Sequence, residues 1–322
     1  MKNLIAIISG DPESINSEII AKSWRKTSSL KRKGVFVIGS FSLIQQQLKK
    51  IRLNTPLKKI DSIDKVNSSK KINILDVPIS FKKPFKISTK LTSVYIIKCL
   101  EIAHHLAITK KIKGFVNCAI DKQRVFSSNF GVTEFLAKKN KLNGKEAMLI
   151  YNEKYSVVPT TTHVKINSIS KNLTRKIIES KINTINSFYI KIFGKKPTIA
   201  VLGLNPHNNE FNKNSEENKI IIPAIKRLKK KKIKLIGPYP ADTIFNNHNK
   251  YKFNVVLGMY HDQVLAPFKA LFGFNAINIT IGLPYLRVSP DHGTAKDIIG
   301  KNKAEFQSLS NSINFIYQND IC

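Results

Sequence analysis

A chain of 322 residues, 42% hydrophobic and 23% charged, has the composition of a globular protein and length enough for two lobes. Its 54 Lys and Arg against 21 Asp and Glu give a formal net charge of +33, but only seven of the cations are Arg, leaving 54 − 7 = 47 Lys. Arg supplies bidentate contacts to phosphate and guanine, and Lys, Ile and Asn share A/T-rich codons, so the excess reads as genomic composition and a dedicated nucleic-acid partner is set aside.

The apolar start, LIAIISG (4–10), runs into Gly10-Asp11-Pro12-Glu13 with no small-residue cleavage site, which favours a first buried strand over a signal peptide. A helix through Glu18 to Lys26 follows. GVFVIGS (34–40) is a second strand, and FSLIQQQLKKI begins a second helix. Residues 54–72 are polar and without a clear period, so a surface connection is expected. INILDVPI (72–79) and GFVNCAI (114–120) read as strands on either side of an amphipathic helix over 93–111. His104 and His105 within that helix read as surface or packing residues.

A helix is expected over 130–140, then adjacent strands over 147–152 and 155–164, and a helix over 170–193. A strand at 198–210 breaks into a polar loop. A helix follows over 220–233, then KLIGPYPADTIF (234–245) and a helical tail from Ala295. Repeated strand–helix alternation implies α/β architecture with parallel strands. No run approaches the length needed to cross a bilayer. The three cysteines, Cys99, Cys118 and Cys322, are odd in number and form no CxxC pair, which suits a reducing compartment and a cytoplasmic protein.

The chemistry concentrates in 258–294, GMYHDQVLAPFKALFGFNAINITIGLPYLRVSPDHGT. His261, Asp262, Lys269, Arg287 and the Asp291–Thr294 turn sit there among apolar strands. Three histidines follow apolar strands directly: His163, His207 and His261. Their spacings match no local zinc motif, but the carboxyl ends of strands in an open α/β sheet converge on one crevice. Lys269 and Arg287 could hold an anionic substrate, with Asn278 and Thr133 as neutral donors. Asp242 could move a proton, orient a ligand or cap a helix. There is no GxGxxG after a strand, no Walker A sequence, no GxSxG elbow and no Cys/His pair placed as a nucleophile.

These residues carry a resemblance. GDP (10–12), GVTEFLA (131–137), PTTTHV (159–164), GLNPHNNE (203–210), GPYPADTIF (237–245), YHDQVLAPFK (260–269) and NITIGLPYLRVSPDHGTA (278–295) are similar, in order, to segments of the 4-hydroxythreonine-4-phosphate dehydrogenase family. The resemblance implies a two-lobed α/β/α fold like that of isocitrate and isopropylmalate dehydrogenases, with a cleft between lobes. The first lobe is expected over 1–130 plus 297–322, and the second, with the metal and substrate site and the dimer interface, over 131–296.

It further implies His163, His207 and His261 as ligands of a divalent metal (Zn, Mg or Co), and Thr133, Lys269, Asn278 and Arg287 as substrate contacts. Asp242 is the catalytic candidate. DHGTAKDIIGK (291–301) is similar to the HGxAxDIxGK adenosine-binding loop of those dehydrogenases, implying that His292, Gly293, Thr294, Ala295 and Asp297 bind NAD, with NADP open. The implied reaction is NAD-dependent oxidation of 4-phosphooxy-L-threonine and decarboxylation to 3-amino-2-oxopropyl phosphate, in pyridoxal 5'-phosphate biosynthesis, by a homodimer. Where the family has glycines this chain has Ser14 and Asn16, and the family's GHTE histidine is Val132. The family's NPHAGE reads Asn205 to Glu210 with Asn208 and Asn209, and Val264 replaces a glycine after YHDQ. A paralogous dehydrogenase for an erythronate- or threonate-type phosphate, or a catalytically impaired polyanion-binding homologue, are the alternatives.

Overall fold

The structure, a computed structural model, describes residues 4–67, 69–126, 131–142, 144–273 and 275–320. Cys322 and Phe130, the first residue of the expected 130–140 helix, lie outside the described residues. The chain divides into two compact units, residues 1–136 with 284–321, and residues 137–283.

The first unit opens with β1 (Ile5–Ile8), β2 (Val35–Gly39), β3 (Leu57–Ile60), β4 (Ile72–Asp76) and β5 (Gly114–Asn117), paired in parallel in the order β3-β4-β2-β1-β5. β1, β2 and β5 are buried along their whole length, as expected of parallel strands covered on both faces. β3 corrects the expectation of a structureless connection over 54–72. It is an edge strand whose LKKI sequence carries two lysines, with Lys59 paired to Asp76 at 2.7 Å. Charge on an edge strand blocks further pairing and also erases the period-2 signal.

The helix expected over 93–111 runs from Thr89 to Ile108, with the Ser88 side chain accepting from Leu91 N at its start. Its 20 residues and mean hydropathy of 1.3 do reach membrane-spanning length and apolarity, contrary to the sequence reading. Tyr95, Ile96, Cys99, Leu100 and Ala103 are buried and the helix packs on β1, β2 and β5, as a core helix does. Burial pushes the Cys99 thiol up to about 12 and Cys118 higher still, so neither is a thiolate nucleophile at neutral pH.

The second unit contains β6 (Ala147–Tyr151), β7 (Ser156–Thr161), β8 (Ile199–Leu202), β9 (Leu235–Tyr239), β10 (Val255–Tyr260) and β11 (Ile277–Ile281), in the order β11-β6-β7-β10-β8-β9. β6 runs antiparallel to both neighbours, and β7, β10, β8 and β9 are mutually parallel. Val157, Leu202, Val256, Val264 and Phe268 form part of one buried cluster beneath these strands. β9 is a strand the sequence hides behind Gly237-Pro238. Gly237 has φ +105°, and a Cβ there would lie 2.4 Å from the Val201 carbonyl oxygen. The helix expected over 170–193 is two helices, Ile169–Asn172 and Arg175–Phe193, because the Thr174 hydroxyl accepts from Ile177 N and starts a new helix.

The chain then returns to the first unit as β12 (Leu286–Pro290), parallel to β5. Among the described residues the tail is helical over Gln307–Gln318, after a single tight turn at Lys296–Ile298, and that helix packs on β12, β5 and β1.

Candidate functional site

In the second unit the register of three adjacent strands decides where the histidines fall. β7 and β10 are parallel with Thr161 opposite Tyr260, so His163 and His261 both emerge just past the carboxyl ends of neighbouring strands. The Thr161 hydroxyl donates to the Met259 carbonyl at 2.8 Å and locks those ends together. The two imidazoles lie with ring centroids 6.2 Å apart. β8, the other neighbour of β10, carries His207 past its own carboxyl end. Strand order, rather than spacing along the chain, therefore puts the three histidines past the ends of three adjacent strands and brings His163 and His261 side by side.

The three differ in how they are held. His261 is the first residue of the helix His261–Phe272, with Nδ1 2.7 Å from Asp262 Oδ1. His207 sits in a turn over Pro206–Phe211 in which His207, Asn208, Asn209, Glu210 and Phe211 all have φ between +45° and +58°. Such a left-handed run costs about 1–2 kcal/mol per residue for side-chain-bearing residues, least for Asn. Asn208 and Asn209 are thus suitable replacements for the glycine-containing family sequence. His163 and His207 are exposed. Among the described residues no group of three His, Cys, Asp or Glu side chains is arranged to hold a metal ion. The donor set fits a divalent cation in kind, with two of its three imidazoles adjacent.

Lys269 lies in the last turn of the His261–Phe272 helix, half-buried, and Asn278 lies on β11 opposite Ile150 with its Oδ1 buried and without a hydrogen-bond partner. Asp242 is exposed in the first turn of a short helix, Ala241–Ile244, whose cap position is Pro240, so the capping role is not the one it plays. Val264 is buried in the cluster beneath the strands, and it occupies the space over Gly258, where a Cβ would lie 2.4 Å from its Cγ1.

The first unit holds the other expected residues. Arg287, on β12, is 4% exposed and its Nε donates to Asn117 Oδ1 on β5. Burial lowers its pKa to about 10, opposed by the Glu134 carboxylate, so it stays a cation at neutral pH. Thr133 is half-buried and Val132 buried on the helix Val132–Lys139.

The 291–297 segment is partly exposed and tied down at several points. Asp291 N donates to Ser308 Oγ, the Thr294 carbonyl accepts from Ile15 N, and Lys296 Nζ bonds Asp121 Oδ2 at 2.7 Å. Hydrogen bonding to Lys296 holds the Asp121 carboxyl below its ordinary value. His292 Nδ1 lies 2.8 Å from Gly293 O, Ala295 has φ +49°, and Asp297 lies in the tight turn.

Sequence reasoning passed over several residues that shape these segments. Asp11 is buried, accepts from Glu13 N, Asp121 N and Arg124 Nη1, and has its pKa raised by burial against those contacts. Ser14 and Asn16, where the family has glycines, stitch the same turn: Ser14 donates to Asp11 O, and Asn16 Nδ2 donates to Ala119 O at 2.9 Å. Glu217 and Gln263 bond the backbone ahead of His207. Glu217 lies in a polar stretch between the strand expected at 198–210 and the helix expected over 220–233, and the only available signal was a pair of acids just before the apolar run of 220–225.

The family model described as "Pyridoxal phosphate biosynthetic protein PdxA" matches residues 31–316. The chain is 38% identical over 318 residues to the 4-hydroxythreonine-4-phosphate dehydrogenase of Sulfurihydrogenibium sp. (strain YO3AOP1), covering 96% of each. It is 32% identical to the D-threonate 4-phosphate dehydrogenase of Pectobacterium atrosepticum, covering 99% of each. Among solved structures it superposes on 4-hydroxythreonine-4-phosphate dehydrogenase from Klebsiella pneumoniae with TM-score 0.86 at 31% identity, covering 99% of this chain and 98% of that one.

Proposed function

The chain belongs to the pyridoxal phosphate biosynthetic protein PdxA family, and from that premise we propose that it oxidises 4-phosphooxy-L-threonine at C3. The β-keto acid formed loses CO2 to give 3-amino-2-oxopropyl phosphate. The observation that carries this reading is the placement of His163, His261 and His207 past the ends of the adjacent strands β7, β10 and β8, with the first two rings 6.2 Å apart.

NAD along His292–Asp297 would accept the hydride, and a divalent cation on His163, His207 and His261 would stabilise the developing alkoxide. The protein's own residues do the remainder. Arg287 and Lys269 bind the anionic groups of the substrate, remote from the reacting carbon, and that binding energy is available to orient C3. Thr133 and Asn278 add neutral hydrogen bonds. The Asp242 carboxylate accepts the hydroxyl proton. The assembly is a cytoplasmic homodimer.

One observation favours a second substrate. Val132 is buried and stands where the resemblance puts a histidine, so a hydrogen bond to substrate worth about 1–3 kcal/mol would be missing at that position. A threonate-type phosphate is therefore the alternative. Purified protein given NAD and 4-phosphooxy-L-threonine should produce NADH absorbance that chelator abolishes and added cation restores. Turnover of D-threonate 4-phosphate but not of 4-phosphooxy-L-threonine would assign the second substrate, and turnover of neither would overturn the reading.

A further inference from the structure

The backbone between the end of β8 and His207 is gripped from two directions. On one side, Glu217 is fully buried and its Oε1 accepts from Leu204 N at 2.8 Å and Asn205 N at 2.9 Å, while Asn205 Nδ2 reaches Oε2 at 3.1 Å. Glu217 opens a wide helical turn, Glu217–Ile221, that runs directly into the helix Ile222–Lys230. Wide turns of this kind recur at functional sites. On the other side, Gln263 Nε2 donates to Gly203 O at 2.7 Å, while its Oε1 accepts from Met259 N at 2.6 Å. Gln263 lies two residues past His261, and Met259 two residues before it. One amide side chain thus spans the His261 turn and the strand end that leads to His207.

We propose that Glu217 and Gln263 are positioning residues that hold the His207 turn in register with His261, and that divalent-cation affinity depends on both. The proposal rests on the reading of the three histidines as ligands. Two features argue for positioning over simple satisfaction of buried polar groups. The clamped residues, Gly203 to Asn205, lead into five consecutive left-handed residues, a conformation that persists only where its ends are fixed. The space is also closed around them: a Cβ on Gly203 would lie 2.1 Å from Asn208 Oδ1 and 3.1 Å from Glu217 Oε1. Asn208, the residue after His207, is itself buried and reaches Pro238 O with Nδ2. An exposed imidazole on such a turn takes its direction from what lies beneath it.

The test uses the full chain and cobalt(II), with affinity read from its visible absorption and by calorimetry. Glu217→Gln and Gln263→Met should each weaken cobalt binding about 10–100-fold, the range seen when a group orienting a metal ligand is lost. Amide exchange across 203–212 should quicken in both. The milder Asn205→Ala removes the side-chain amide that reaches Glu217 while leaving both backbone amides on Oε1, and should give a smaller loss of the same kind, which serves if Glu217→Gln does not fold. Unchanged cobalt affinity in folded variants overturns the proposal, as does a loss of thermal midpoint with exchange and affinity unmoved. His163→Ala separates the two readings. If it weakens cobalt binding and the clamp variants do not, only the positioning role falls; if it has no effect, the ligand reading falls and the proposal with it.

Discussion

The two units treat their candidate site residues in opposite ways. In the first, Arg287 is sunk to 4% exposure beside Asn117, and Asp11 is buried under backbone amides and Arg124. In the second, His163 and His207 are exposed and His261 is held on one side by Asp262. A buried cation is fixed by the protein alone, since leaving it unpaired would be costly. An exposed imidazole is fixed only from behind, and its final geometry awaits a ligand. The first unit thus holds its charged groups by burial, whereas the second presents imidazoles whose order strand register sets and whose orientation its backbone clamps set.

The comparison breaks most readily at Arg287. Arg287→Met should lower stability by about 3 kcal/mol, read from the urea midpoint, because Asn117 and Glu134 lose their buried partner. A neutral result would mean that Arg287 is not structurally fixed. His261→Ala should do the reverse: cobalt affinity falls at least ~100-fold, the upper end for loss of an orienting partner, while stability moves by no more than about 0.5 kcal/mol. A large fall in the thermal midpoint of that variant would place the histidine in the core and erase the contrast.

Gly258→Ala should destabilise the second unit by about 2 kcal/mol through the clash with Val264, and Val264→Ala in the same chain should recover most of it. No recovery would show that Val264 is not the residue confining Gly258. The smallest effect is on acid. Hydrogen bonds from Ser170 and Asn205 hold Glu216 below 4.5, and for Glu217 burial raises the pKa while the bonds from Asn205 and Leu204 outweigh it. Depressed carboxyl values mean a stabilisation fully present above pH 4.5 and lost as pH falls through the folded-state values. Exchange at 203–205 should therefore rise below that pH before exchange in β1 and β2 does.

Much of this was legible in the chain. The buried strands β1, β2, β5 and β10 announce themselves as apolar runs, and the three histidines can be seen to follow strands. Edge strands β3 and β9 were not legible, because lysines in one and Gly237-Pro238 in the other remove the periodic signal. Nor could sequence show that β10 lies between β7 and β8, the adjacency that sets His163 beside His261. Asp242 could move a proton, orient a ligand or cap a helix from sequence, and Pro240 at the cap position removes the last of these. The clamp residues were invisible for a different reason: a buried Glu and a buried Gln look like surface until their partners, backbone amides distant in sequence, are known.

The return of β12 to the first unit bears on how the chain emerges from the ribosome. The β5 flank of the opening strands stays unpaired until residue 290 has been synthesised, whereas residues 137–283 form a continuous stretch that can fold as soon as it is complete. The portion made first is thus finished last. In the interval its bare hydrogen-bonding edge is where a chaperone would engage and where aggregation would start.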